Sequence, residues 1–282
     1  MGQTLTGVDF PAPAKLNLFL HVIGRRPDGY HLLQTVYRFL DYGDRLRLRV
    51  REDGEIRRPG GVPGVAPEED LTVRAARLLK AASGTRLGVE IEIDKRLPIG
   101  GGLGGGSSDA ATTLLALNRL WGLNLPRPQL MALALRLGAD VPVFVFGRSA
   151  FGEGVGERLT EIPLAPAWYL VLVPQVAVST AEIFASGDLT RNTNPIKMSA
   201  FSVEQGRNDL EPVVRRRFPQ VDACMRWLER YAQARLTGSG ACVFAAFDRE
   251  EEARRVLDLR PRDLEGFVAQ GMDRHPLHDF AD

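Results

Sequence analysis

The stretch Pro98-Ile-Gly-Gly-Gly-Leu-Gly-Gly-Gly-Ser-Ser-Asp109 is half glycine and lies between two segments whose periodicity can be read. Before it, Gly88 to Arg96 alternates apolar Val89, Ile91 and Ile93 with charged residues, the period of a half-buried strand. After it, Ala110, Leu114, Leu117 and Trp121 recur at helical spacing until Gly122 stops the run. Ser107 or Ser108 is the expected N-cap. A glycine loop that opens onto a helix start presents unhindered N–H groups and the positive end of the helix dipole. That is an anion site, and so many glycines suit a polyphosphate.

Two common phosphate loops can be tested against this stretch. Gly100-x-Gly102-x-x-Gly105 meets the dinucleotide pattern formally, as any dense glycine run does. The ribose-binding acid expected about twenty residues on is missing, because residues 119–126 read Arg-Leu-Trp-Gly-Leu-Asn-Leu-Pro. A Walker loop needs Lys-Ser/Thr after its last glycine, and Gly106 is followed by Ser107-Ser108. The pattern that remains, P-x-x-G-G-L-G-x-x-S-S, resembles the phosphate loop of the GHMP kinases. A flexible hinge is the plain alternative, but a hinge has no reason to place Gly-Leu-Gly at a helix start with two hydroxyls behind it.

The 282-residue chain can bury a substantial core, in two domains or one large one. Its 36 basic and 35 acidic residues leave a net charge of +1, which gives no signal for nucleic acid or an anionic membrane. Cys224 and Cys242 have no metal spacing and suggest no disulfide framework, as in a reducing cytoplasm. No apolar run is long enough to span a bilayer, and no secretory signal opens the sequence. Met1-Gly2-x-x-x-Thr6 fits the loose myristoylation pattern, and nothing else points to a membrane.

Along the chain, Phe10 to Val22 reads as a strand with Lys15 and Asn17 on one face and Leu16, Leu18 and Leu20 on the other. Lysine is rare here, at four positions among 36 basic residues, so a lysine inside an apolar strand suggests a chosen point charge; a snorkelling edge lysine is the other reading. Residues 32–40 and 44–51 read as two strands, and Arg45, Arg47, Arg49 and Arg51 mark a solvated sheet face. Asp70 caps a helix running to about Ala82, and Pro126 begins another that Gly138 ends. Asp140 then sits between that helix end and the proline-restricted segment Val141-Pro-Val143, a held and partly desolvated setting that suits a base or an ordinary turn aspartate. A buried strand is expected at 168–173, and a second glycine turn, Thr237-Gly-Ser-Gly240, falls inside a strand pair. A charged helix from Glu250 and a polar tail complete the chain, and the polar loop at 186–197 carries no motif.

Pro13 to Leu20, Arg26-Pro-Asp-Gly-Tyr-His31, Phe39-Leu-Asp-Tyr-Gly-Asp44, Pro98 to Ser108, Gly138 to Val143 and Leu236 to Ala241 follow one another in the order of a GHMP kinase. The segments 26–31 and 39–44 make the chain similar to those members that act on a cytidine-diphosphate-linked methylerythritol. The resemblance runs from about residue 10 to 246. It implies an α/β (α+β) kinase of two domains, 1–160 resembling ribosomal protein S5 domain 2 and 161–282 ferredoxin-like, with ATP and acceptor meeting in the cleft. It also implies a cytoplasmic enzyme of non-mevalonate isoprenoid synthesis that uses ATP and Mg2+. Transferred to matching positions, Lys15 and Asp140 lie at the chemistry, and Pro98, Gly100, Gly101, Gly102, Leu103, Gly104, Gly105, Gly106, Ser107 and Ser108 bind the nucleotide. Asn17, Tyr30, His31 and Phe184 fall on the acceptor side, with Tyr30 and Phe184 expected to sandwich the cytosine. Ser107 or Ser108 is a candidate Mg2+ ligand; Asp109 could approach the metal, although a first-turn acid favoured by the helix dipole is the plainer reading. No nucleic-acid, membrane or obligate protein partner is expected.

The chemistry fits these assignments. A tertiary alcohol is hindered and very weakly acidic, so it must be aimed and relieved of its proton as the phosphoryl group transfers. An aspartate beside a lysine supplies an acceptor for the proton and a charge for the phosphoryl oxygens. Another GHMP kinase, of mevalonate or sugar type, and a non-catalytic binding protein on the same scaffold are the competing readings.

Overall fold

The computed structural model describes residues 7–61, 66, 68–201 and 206–281. The acylation pattern at 1–6 and part of the 52–67 loop lie outside the described residues.

The first half is built on a hairpin of β1 (Val8–Arg25) and β2 (His31–Arg51). β2 is one strand of 21 residues where the sequence suggests two. Gly43 does not break it. That residue pairs with Pro13 of β1, and a Cβ there would collide with the Ala12 carbonyl, so the glycine marks a close strand approach and not a turn. The remaining elements of this half are β3 (Ile56–Arg57), α1 (Leu71–Ser83), β4 (Gly88–Asp94), α2 (Gly105–Leu120), α3 (Arg127–Leu137), α4 (Val141–Phe146), β5 (Ala150–Gly154) and β6 (Arg158–Glu161). Asp70 caps α1 as expected, accepting from the N–H groups of Thr72 and Val73. On β2, Leu46 and Leu48 are buried while the alternating arginines face outward, Arg47 paired with Asp9 and Arg49 with Glu90. The solvated face read from that alternation is therefore what forms.

The second half contains β7 (Trp168–Val173), α5 (Thr180–Ala185), α6 (Glu211–Arg217), α7 (Pro219–Leu228), β8 (Arg235–Leu236), β9 (Val243–Phe247), α8 (Glu250–Asp258) and β10 (Glu265–Met272). The polar tail expected after the charged helix proves to hold a central strand. β10 pairs with β7 along Glu265–Gln270, and its last two residues then pair with Phe39 and Leu40 of β2. Its apolar core is only Phe267-Val-Ala269, flanked by Gly266 and Gln270, so the segment has too little alternation to read as a strand alone.

The free edge of β2 is thus shared by β5 at Leu33–Tyr37, β10 at Phe39–Leu40 and β4 at Arg45–Arg51. One apolar cluster lies under α1–α4 and another under α5–α8. A third, with Leu16, Leu18, Val36, Leu40, Val171 and Phe244, spans both halves. Leu277 and Ala281, at the end of the chain, return to the first cluster. Fully buried Arg38 ties the seam, donating to the Leu164, Ala165 and Gly271 carbonyls and pairing with Asp273. Among the described residues, no helix is long and apolar enough to cross a membrane.

Candidate active site

A cavity of about 610 Å3 lies where the glycine loop, β1, the start of α4 and the second glycine turn converge. The loop takes its path from glycines that no other residue replaces without strain. Gly100, Gly102 and Gly104 have φ of 71°, 77° and 73°. A Cβ on Gly102 would collide with the Thr237 carbonyl, and one on Gly104 would lie 3.0 Å from Lys15 Cε and from Phe144 Cζ.

The expected N-cap is corrected here. Gly104 is the cap and α2 begins at Gly105, so Ser107 and Ser108 lie in the first turn. Without a side chain at the cap, the first-turn N–H groups are left unobstructed for an anion. Pro98, Gly100–Gly106 and Ser107 line the cavity. Ser108 is fully buried behind them, and its hydroxyl has no partner among the described residues. Leu103 is buried, but its carbonyl accepts from Lys15 N at 2.9 Å, and the Gly101 carbonyl accepts from Cys242 N at 3.1 Å. The loop is therefore clamped by β1 of the first half and by the residue that precedes β9 in the second.

Below the loop, Lys95 Nζ bridges Asp44 Oδ2 at 2.6 Å and Asp109 Oδ2 at 2.9 Å. Asp44 Oδ1 accepts from the N–H groups of Arg96 and Leu97, which fixes the strand end that feeds the loop. Burial raises the Asp109 carboxyl above the ordinary range; Lys95 opposes that shift and Asp44 adds to it. Asp109 Oδ1 has no partner among the described residues, and Asp109 lines the cavity.

Lys15 is 2% exposed and sits between two irregularities in the β1–β2 register. Its Nζ lies 3.1 Å from Asp140 Oδ2 and donates to Asn17 Oδ1 at 2.6 Å. Both residues line the cavity, and the Asp140 side chain, 38% exposed, is the more open of the two. It precedes α4 with no side-chain cap bond, which leaves the carboxylate free to point at Lys15; the proline segment after it is the first turn of that helix. Tyr37 OH donates to Asp140 Oδ1 at 3.4 Å, and burial first, then the Asp140 charge, raises its pKa, keeping it a donor. From Asn17 the bonds run on. Its side-chain amide donates to Thr35 Oγ1 at 2.9 Å, and its backbone N donates to Thr237 Oγ1 at 3.1 Å. Thr237 Oγ1 in turn donates to the Gly102 carbonyl at 3.2 Å. Lysine, loop and second glycine turn are one network.

On the acceptor side, Phe184 lines the cavity and its ring centroid is 4.9 Å from that of His31, at 30°. Tyr30 does not face Phe184; it is 61% exposed. Tyr30 is the last loop residue before β2, which begins at His31, and it makes no ring contact with Phe184. Arg191 then holds His31 on the Phe184 side through a 3.0 Å bond.

Several residues of this wall carry no sequence signal. Thr35 and Tyr37 look like ordinary strand residues, and Arg191 lies in the 186–197 loop that shows no motif. Thr180 and Ser239, whose hydroxyls meet at 2.6 Å on the cavity wall, are 59 residues apart. Asp44 had a cue, as the end of Leu40-Asp-Tyr-Gly-Asp44, and so did Thr237 and Ser239, as members of the second glycine turn.

Comparison with known proteins gives the family. Residues 70–148 match the family model for the GHMP kinases N terminal domain, and residues 181–259 match GHMP kinases C terminal. The chain is 62% identical to a 4-diphosphocytidyl-2-C-methyl-D-erythritol kinase of Thiobacillus denitrificans, over 96% of this chain and 98% of that protein. It is also 62% identical to the protein of that name from Nitrosospira multiformis, over 96% and 94%. Among solved structures, a 4-(cytidine 5'-diphospho)-2C-methyl-D-erythritol kinase superposes with a TM-score of 0.82 at 34% identity, covering 94% of this chain and 99% of that one. The mevalonate kinase of Methanococcus jannaschii shares the fold, with a TM-score of 0.67 at 16% identity over 95% of this chain and 99% of that one.

Proposed function

The chain belongs to the 4-diphosphocytidyl-2-C-methyl-D-erythritol kinase family of the GHMP kinases, and from that premise we propose that Lys15 and Asp140 carry its phosphoryl transfer. The enzyme moves the γ-phosphoryl group of ATP to the 2-hydroxyl of 4-diphosphocytidyl-2-C-methyl-D-erythritol, giving the 2-phosphate and ADP, a step in non-mevalonate isoprenoid precursor synthesis. The observation that carries the assignment of roles is the 3.1 Å contact between a buried lysine and an open carboxylate beside the glycine loop. Asp140 Oδ2 accepts the hydroxyl proton as the oxygen attacks phosphorus and the bond to the β-phosphate oxygen breaks. Lys15 neutralises charge gathering on the phosphoryl oxygens, and Asn17 and Tyr37 hold the pair in register. The N–H groups of Gly104–Ser107 receive the β-phosphate region. Asn17, Tyr30, His31 and Phe184 take the acceptor.

Magnesium, when bound, would screen the charge of the phosphates, and it would need only one or two protein oxygens. The unpartnered Asp109 Oδ1 and the Ser107 hydroxyl are the oxygens on this wall that suit it. Ser108, fully buried, is the weaker choice of the two serines. We also divide the chain into domains near residue 160, with the closing residues around Leu277 and Ala281 packed on the first. A cytoplasmic setting belongs to the same reading, supported by two free, buried thiols.

The test is ATP consumption with the acceptor varied. Turnover is expected with 4-diphosphocytidyl-2-C-methyl-D-erythritol and not with mevalonate or galactose. Preference for either of the latter would reassign the substrate, and ATP binding with no turnover on any acceptor would make the protein a binder.

A further inference from the structure

Arg191 lies in the 186–197 loop and uses its guanidinium in four directions. Nε donates to His31 Nε2 at 3.0 Å, Nη2 to the carbonyls of Phe184 at 2.8 Å and Ser186 at 2.7 Å, and Nη1 to the Leu189 carbonyl at 3.1 Å. The three carbonyls fix the plane of the group, so the direction of the Nε–H bond is fixed with it. A guanidinium has donors only, so the imidazole nitrogen that faces it must present its lone pair. A neutral His31 then carries its proton on Nδ1. Burial, followed by the charges of Arg191 and Arg25, lowers the pKa of His31 and so favours that neutral ring. The same guanidinium holds the Phe184 carbonyl and the His31 ring, which sets the two rings 4.9 Å apart.

We propose that Arg191 is a positioning residue for the acceptor: it holds His31 against Phe184 in the Nδ1–H tautomer, which presents a fixed donor to the pyrimidine edge and selects cytosine over uracil. The proposal rests on the reading of the acceptor as cytidine-linked. Aimed at position 3 of the ring, the fixed donor meets a lone pair in cytosine and an N–H in uracil, where the two donors stay unpaired. Enzyme sites built around such a hydrogen bond discriminate far more strongly than shape alone allows.

Two measurements test it. The 15N shifts of the His31 ring in the wild-type protein should report a protonated Nδ1 and an unprotonated Nε2. Arg191→Met should move that signal toward the other tautomer and raise the acceptor KM at least about tenfold. It should leave the KM for ATP unchanged, and reduce the preference for the cytidine-linked over the uridine-linked acceptor by at least about tenfold. Arg191→Lys, which keeps a donor near Nε2, should recover part of that preference. A wild-type His31 protonated on Nε2 overturns the proposal, and so does a folded Arg191→Met variant that keeps the full base preference. If Arg191→Met does not fold, the wild-type shifts and Arg191→Lys decide. Failure of the wild type to use the cytidine-linked acceptor at all would instead overturn the assigned reaction.

Discussion

At its phosphate end the cavity is walled by one continuous run of main chain, residues 98–107. At the proposed acceptor end the wall is gathered from side chains at Asn17, Thr35, Phe184 and Ser239, with His31 and Arg191 packed behind Phe184. On the proposed reading the first wall works through N–H groups, which every residue of the run except Pro98 possesses, and its requirement is negative: nothing may stand where the phosphates go. The second works through particular heteroatoms brought together from separate strands and loops. A site of the first kind is tolerant of what surrounds it and intolerant of any added atom. One of the second kind fails when any of several distant supports is lost. Lys15 and Asp140 stand where the two walls meet, tied to the loop through Leu103 and to the acceptor side through Asn17.

The sharpest way to break this comparison is at the junction, where the largest effect is expected. Asp140→Asn keeps the shape but removes the proton acceptor, so kcat should fall roughly 10²–10⁴-fold with ATP affinity little changed. Lys15→Met should lose at least about tenfold, and the double variant should be scarcely worse than the poorer single one, because the residues act as a unit. Steady-state phosphorylation by the four proteins measures this. Clean multiplication of the two defects would separate the residues, and near-wild-type turnover by Asp140→Asn would remove it from the chemistry.

Next comes the main-chain wall. Gly104→Val adds a branched Cβ at φ 73°, against Lys15 and Phe144, and should weaken nucleotide binding at least about tenfold while the acceptor KM changes less. Calorimetry with a non-hydrolysable ATP analogue reads it directly. Unaltered affinity in a folded variant would put the phosphates elsewhere.

The smaller effects belong to the gathered wall. Stacking a base on an aromatic ring contributes roughly 1–3 kcal/mol, so Phe184→Ala should raise the acceptor KM by about tenfold and leave that for ATP alone. Tyr30→Ala should act in the same direction but only a few-fold, toward the low end of the same range, because its ring is largely exposed and must move to reach the base. A larger effect from Tyr30 than from Phe184 would show that the bound acceptor is held by the outer ring. Equal rises in both Michaelis constants would make Tyr30 structural.

How much could be read in advance follows the same division. The loop, the helix behind it, the Asp70 cap and the solvated arginine face were all legible, since each depends on residues within a few positions of one another. The errors were also local. Residues 32–40 and 44–51 read as two strands with Gly43 in the gap between them, and Ser107 or Ser108 read as the cap because serine is a favoured one. What overruled both was a neighbour far away in sequence: the Ala12 carbonyl lies against Gly43, and Thr237, Lys15 and Phe144 crowd the path of the loop that ends in Gly104.

By itself the sequence determined the glycine loop, the helix it opens and the candidacy of Lys15 and Asp140. Glycine density, apolar period and rare charge are properties of contiguous residues, and main-chain chemistry needs no partner to be specified. Only the tertiary structure decided that Lys15 and Asp140 lie 3.1 Å apart across 125 positions, that a tail of weak alternation becomes the strand joining the two halves, and that Arg191 faces His31. Hydrogen bonds and ion pairs act over about 3 Å whatever the separation along the chain, and that distance is set by how sheets and helices pack.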